Sequence, residues 1–246
     1  MKEFWKDWEN ITEFEKKAIK SLIKAKKIIL DNVPREELIS IYVKGSFPRR
    51  EMNERSDVDL VPILKSTKTL LKLKKLSNKY CKNIKPKPQL SGYSIWELKR
   101  GKRSVAKGLT GNRAGTSRIL KHFPHYKLIY GKTIDVSNFP RRSHEHDLRS
   151  MVSVFKSLFL PMYKGKELGF EDIVKQVLWL CENEMRFLGK STPHNWKALD
   201  RSIKEKTHIV HQTYKYRLKK PKDKKIRRQY IKRLENYLDK LEKMIK

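Results

Sequence analysis

The chain has 246 residues and carries 59 Lys and Arg against 27 Asp and Glu, a formal charge of +32. Such an excess strains a compact fold by self-repulsion. It is usually offset by a polyanion such as nucleic acid, the alternative being a lysine-rich, heat-adapted proteome. Two distant cysteines, Cys81 and Cys181, exclude a disulfide framework and a zinc ribbon. No apolar run approaches the ~20 residues of a membrane helix. The charged, aromatic start MKEFWKDWEN is unlike a secretory signal, so a soluble cytoplasmic chain is expected.

Helical spacing covers residues 12–31, with Phe14, Ala18, Leu22, Ala25 and Ile29 on one stripe, and Pro34 ends it. Ile39 to Val43, β-branched and aromatic, predicts a strand. A turn and a short helix should follow, then a second strand over Val58 to Leu64. Thr67 to Lys82 is amphipathic, with Leu70, Leu71, Leu73 and Leu76 inward. Pro86 and Pro88 break it, and Gln89 to Ile95 predicts a third strand. From about Glu145 only helical periods remain. Leu148, Val152, Phe155 and Phe159 form one stripe before Pro161. Phe170, Ile173, Val177, Leu180, Glu184 and Phe187 mark a helix ending near Gly189. Another is expected from Pro193 to about Leu218, and a last from Lys224 onward with Ile231, Leu234, Leu238 and Leu241 on one face. The expected architecture is an α/β N-terminal domain (1–140), a small mixed sheet with helices, followed by an all-α helical bundle (141–246). No internal repeat is apparent.

The stretch from Ile41 to Leu64, IYVKGSFPRREMNERSDVDLVPIL, carries the chemistry. An apolar run opens onto Gly45-Ser46, ten residues follow, and Asp57 and Asp59 stand within a second apolar run. Side chains at i and i+2 of a strand share a face, so both carboxylates point one way while Val58, Leu60 and Ile63 anchor the strand. Two adjacent carboxylates repel, and folding alone gives no reason for them. A hard divalent cation does: magnesium takes one or two carboxylates and completes its shell with water and phosphate. Gly45-Ser46 at a turn offers backbone N–H groups and a hydroxyl to a polyphosphate. The bland alternative is a surface turn followed by two solvated acids.

These residues resemble the signature of the polymerase-β-like nucleotidyltransferase superfamily. Within it the chain is most similar to the minimal and the small drug-modifying, kanamycin-type nucleotidyltransferases, over roughly residues 12–135. Lys127-Leu128-Ile129-Tyr130-Gly131-Lys132 is similar to the stretch that often closes that domain. The resemblance implies an enzyme that moves a nucleoside monophosphate, AMP from ATP by default, to an RNA (tRNA for instance) or another macromolecule, releasing pyrophosphate. Asp57 and Asp59 would be catalytic and would hold two Mg²⁺ ions about 4 Å apart. Gly45, Ser46 and Arg49 would bind the nucleotide, with Lys44 and Arg50 adding charge. The superfamily's third carboxylate has no counterpart in Pro88-Gln89-Leu90-Ser91-Gly92-Tyr93-Ser94-Ile95. Glu97 follows, but it looks like part of the next helix. Two alternatives remain. One is an aminoglycoside-type enzyme, with Glu182 and Glu184 lining a pocket for a polycation, which the net charge disfavours. The other is a non-catalytic RNA-binding module on a degenerate fold.

Residues 99–132 hold ten Lys or Arg and no acid (Lys99, Arg100, Lys102, Arg103, Lys107, Arg113, Arg118, Lys121, Lys127, Lys132), with glycines at 101, 108, 111 and 115. This composition predicts a cationic loop for phosphate contact. Residues 201–246 carry 17 Lys and Arg against 5 Asp and Glu. Tyr214, Tyr216 and Tyr230 flank the basic run Lys219 to Arg228, a pattern suited to a nucleic-acid backbone with base stacking. The run His144-Glu145-His146-Asp147 is not expected to bind metal, because adjacent helical residues do not face one site. Arg201 and His208 resemble the Arg and His of HEPN-type ribonucleases, but such a pair arises easily by chance and no nuclease is expected.

Overall fold

Thr12 starts the first helix of this computed structural model, which describes residues 3–54, 56–104 and 113–245. Its hydroxyl accepts from the Glu15 N–H, and Glu15 accepts from the Thr12 N–H, a reciprocal cap. Helix α1 (Glu13–Asn32) buries Ala18, Leu22, Ala25 and Ile29 of the predicted stripe, while Phe14 is only half-buried. The chain divides into two compact units, Met1–Arg141 and Arg142–Lys246.

In the first unit, β1 (Leu38–Lys44) and β2 (Val58–Leu64) pair antiparallel, with Lys44 opposite Asp59. Helix α2 (Lys68–Tyr80) follows, then β3 (Pro88–Leu90) and β4 (Tyr93–Ser94), both parallel to β2. After α3 (Ile95–Arg100) and α4 (Thr116–His122), β5 (Lys127–Gly131) closes the sheet antiparallel to β1. The order is β3-β2-β1-β5, a small mixed sheet with β4 on β2. On one face, Leu22 and Ile29 pack with Ile41, Val43, Leu60, Leu70 and Leu73. On the other, Tyr42, Val61 and Ile63 pack with Tyr93, Leu98, Ile119 and Leu120. Buried on both faces, the strands read as continuous apolar runs instead of alternating ones.

Three expectations for this unit are corrected. Leu71 of α2 is exposed and does not pack inward with Leu70, Leu73 and Leu76. Residues 46–50 form turns and not a short helix. The expected third strand breaks at Ser91-Gly92, and Ile95 already belongs to α3, because Ser94 and Glu97 form a capping box there.

The second unit is all helical: α5 (His144–Val154), a π turn (Phe155–Phe159), α6 (Leu160–Lys164), α7 (Phe170–Phe187), α8 (Trp196–Ser202), α9 (Ile209–Leu218) and α10 (Lys224–Met244). Ile173, Val177, Leu180 and Cys181 of α7 share a core with Val210, Leu234, Leu238 and Leu241. The helix expected over Pro193 to Leu218 is two, because Ile203–His208 leaves helical geometry and His208 caps α9 with its own ring. Among the described residues, no helix is long and apolar enough to cross a membrane.

Gly131 is pinned by packing. Its φ is +81°, and a Cβ there would lie 2.0 Å from the Ile39 carbonyl oxygen on β1. Gly131→Ala combines left-handed strain with a backbone clash, so it should cost on the order of 3 kcal/mol in urea unfolding.

Candidate active site

Asp59 lies within β2 and Asp57 immediately before its first residue, Val58, so the extended chain's period of two sets both acids on one side. Val58 and Leu60 are fully buried, and Asp57 and Asp59 lie half-buried between them. Gln89 of β3 stands in register beside Asp59. Its amide orients so that nitrogen, the donor, faces the acids, 2.9 Å from Asp59 Oδ1 and 3.2 Å from Asp57 Oδ2. One amide group thus bridges both carboxylates. From the other neighbouring strand, Lys44 Nζ lies 3.7 Å from Asp59 Oδ1.

Gly45 follows Lys44 with φ +84°, and a Cβ there would sit 2.4 Å from Asp59 Oδ2. The carboxylate occupies the space that any other side chain would fill. The Ser46 carbonyl accepts from the Glu51 N–H at 3.0 Å and Phe47 O accepts from Arg50 N–H, closing the turn. Phe47 is fully buried, with ring centroids of Phe4 at 5.8 Å and Trp8 at 5.2 Å. The aromatic N-terminal segment therefore anchors the Gly45-Ser46 turn, a role that its sequence does not announce.

The predicted cations separate into two groups. Arg49 stays at the site. Its Nε bonds Glu51 Oε2 at 2.7 Å, and its charge, with those of Asp59 and Arg118, acts on the Tyr126 hydroxyl. Burial is the main cause that raises the pKa of Tyr126, and Tyr93 and Asp59 add to it. Tyr126 is a residue that sequence reasoning did not name, and Arg118 of α4 entered it only as one of ten cations. The only trace was the acid-free character of 99–132.

Arg50 is corrected. Its Nε donates to Glu15 Oε1 at 2.9 Å, its two terminal nitrogens donate to the Glu9 and Asn10 carbonyls at 3.0 Å, and it stacks on Trp8. It staples the N-terminal segment to α1, so it adds no charge around a triphosphate.

Glu97 belongs to the next helix, α3, as its sequence context predicts, and is not placed as a third acid. It is fully buried, caps α3, and receives Arg113 through two bonds of 3.0 and 2.9 Å and the Ser104 N–H at 2.6 Å. Arg113 itself also holds the Gly92 carbonyl at 3.0 Å. The basic segment is thus a tied structure at 113 and 104, and its members Lys107, Gly108 and Gly111 lie outside the described residues.

Two readings in the helical unit also change. Glu182 bonds Arg186 at 2.6 Å, and Glu184 bonds His208 at 2.8 Å and accepts from the Tyr237 hydroxyl, all of them buried or nearly so. Neither is an open acidic wall. Tyr230 is fully buried and bonds Thr213, and Tyr216 packs edge-on against it, so these rings serve the core and not base stacking. His208 is buried at the α9 cap while Arg201 is exposed, so they do not share a nuclease site.

The donor set suits magnesium: two hard carboxylates on one face, cleared of side chains by Gly45. Asp57 and Asp59 are the residues that could hold it. No family model matches the chain, and no curated protein does. Among solved structures, the chain is similar to the crystal structure of spectinomycin adenyltransferase AAD(9) from Enterococcus faecialis with ATP and spectinomycin. The TM-score is 0.54 at 16% identity, covering 91% of this chain and 98% of that one. The likeness shows the fold alone: a small mixed sheet with helices followed by a helical C-terminal part, as in that adenyltransferase.

Arg50 also sets a pH dependence. Its hydrogen bond is the main cause that holds the Glu15 carboxyl below its ordinary 4.5. A depressed acid stabilises the fold above its unfolded pKa and loses that contribution as pH falls through the folded value. The stability gap between wild type and Arg50→Ala should be full at pH 7 and shrink below about pH 4.5, read by urea unfolding across pH.

Proposed function

We propose that the chain is a nucleotidyltransferase, moving AMP from ATP to an acceptor with release of pyrophosphate. The observation that carries this reading is the acid pair, Asp57 just before β2 and Asp59 within it, bridged by Gln89, with Asp59 packed against a glycine that leaves no room for a side chain. The neighbour's adenyltransferase name and its ATP support the same reading.

In this assignment Asp57 and Asp59 hold magnesium, which when bound neutralises phosphate charge and activates the attacking oxygen. Gly45 lets the main chain approach the nucleotide, and Ser46 grips its phosphates. Lys44, Arg49 and Arg118 supply positive charge around the same acids, so the triphosphate meets a cationic wall. Catalysis of this kind is mostly positioning and charge neutralisation.

For the acceptor, the charge of +32 supports an RNA, tRNA among the candidates. The second reading, an aminoglycoside acceptor, is favoured by the spectinomycin in the neighbour. The engagement of Glu182 with Arg186, and of Glu184 with His208 and Tyr237, weighs against it, because a polycation needs available acids.

The test supplies magnesium, α-labelled ATP and either total RNA, spectinomycin or no acceptor. Label in RNA supports the first reading and label on the drug the second. Tight, salt-sensitive RNA binding without label would reduce the chain to a binding module. Asp57→Asn and Asp59→Asn should each lower transfer at least about 1000-fold with unchanged circular dichroism, and full transfer by either would refute the assignment. Gly45→Ala should weaken magnesium–ATP binding at least about tenfold by calorimetry, since its methyl group displaces the Asp59 carboxylate.

A further inference from the structure

A cavity of about 330 Å³ opens beside the acid pair, at the edge of the sheet between β3 and α2. Asp57 and Gln89 form the end nearest the acids, over a floor of Leu70 and Leu73, with Ser77 and Asn78 on the α2 side. Lys74 and Lys87 bring positive charge to it. Arg113 also lines it, although its guanidinium is committed to Glu97. Asp57 is the one acid among the described lining residues.

That composition bears on the nucleophile. A hydroxyl acceptor must lose its proton as it attacks, and an enzyme usually sets a base within hydrogen-bond reach of it. Here the position beside Asp59 on the neighbouring strand is Gln89, an amide with no basic site, and its nitrogen already bridges the carboxylates. Glu97, the acid nearest in sequence, is fully buried and receives Arg113, Ser104 N–H and Ser94 N–H. The remaining polar groups of the cavity are hydroxyls, amides and protonated cations, which attract an anion and abstract no proton.

We propose that the acceptor presents an oxygen that is already ionised, a phosphate monoester seated between Lys74 and Lys87, so that no base is required. The inference rests on the nucleotidyl-transfer reading above. One ionised phosphate oxygen attacks the α-phosphorus of ATP and forms a new P–O bond. The bond from the α-phosphorus to the bridging oxygen breaks, and its electron pair leaves with pyrophosphate. One phosphoanhydride replaces another, and no proton moves. The phosphate can belong to an RNA 5′ end or to a free sugar phosphate; the chemistry is the same.

Two measurements test this on the full chain. In the first, calorimetry without nucleotide compares ribose 5-phosphate with ribose. The phosphate should bind at least tenfold tighter, and the double variant Lys74→Glu, Lys87→Glu should abolish the difference. In the second, α-labelled ATP and magnesium are given with ribose 5-phosphate, ribose, and a 3′-blocked oligoribonucleotide with a 5′-phosphate or a 5′-hydroxyl. Label should enter the phosphorylated acceptors as an anhydride visible by ³¹P NMR. Preference between the sugar and the oligonucleotide identifies the source. The rate should rise through the second phosphate ionisation, near pH 6, and then level. Hydroxyl acceptors should be at least 100-fold slower, and Gln89→Glu should narrow that gap by speeding them.

Equal wild-type rates on hydroxyl and phosphate acceptors, or phosphate binding no tighter than ribose, overturns the inference. So does the absence of label on any acceptor from a chain whose ATP binding depends on Asp57. ATP binding that is indifferent to Asp57→Asn overturns instead the nucleotidyl-transfer reading beneath it.

Discussion

Two like charges fixed on one face of a strand organise this protein's N-terminal unit. Asp57 and Asp59 repel each other, and the fold answers from three sides. Gln89 bridges them with one amide, Lys44 faces Asp59 across the antiparallel pair, and Gly45 yields its side-chain space to the Asp59 carboxylate. Each answer comes from a different strand or turn, so the sheet order β3-β2-β1 is also the order of support for the acids. Such an arrangement favours a cation or a cation-bearing ligand, because polar and positive groups surround the acids without neutralising both.

The support reaches beyond the first contacts. The turn after β1 is held by Phe47 in a cluster with Phe4, Trp5 and Trp8, and the segment carrying those rings is held by Arg50 on Glu15. On the other side, Glu97 collects α3, Ser104 and Arg113 into one buried ion-pair network. Breaking either partner of such a pair leaves a buried charge, so these groups do structural work. A charged residue near the site is not by that fact part of it. Arg49 and Arg50 are adjacent in sequence and have different partners, Glu51 for the one and Glu15 for the other.

The same separation applies to the helical unit. Its acids and aromatics looked available for binding in the chain's composition, yet Glu182, Glu184, Tyr230 and Tyr237 are each buried in specific polar partnerships. The basic excess of α10 and the segment before it remains on the surface.

The sequence by itself determined the α/β-then-helical order and the acid pair, since periodicity and an i, i+2 spacing are local properties of the chain. The bounds of α1, β2 and α7 followed closely from caps and apolar stripes. Only the tertiary structure decided which cations stay at the acids, that Glu97 is a buried cap and ion-pair partner, and that Gln89 stands beside Asp59. Those outcomes depend on contacts between residues far apart in the chain, such as Arg50 with Glu15 and Arg113 with Glu97, and no spacing rule encodes a partner at that distance. The split of β3 from β4 and of α8 from α9 has the same cause. A cap or a ring bond in the folded chain stops an element whose apolar pattern would otherwise continue.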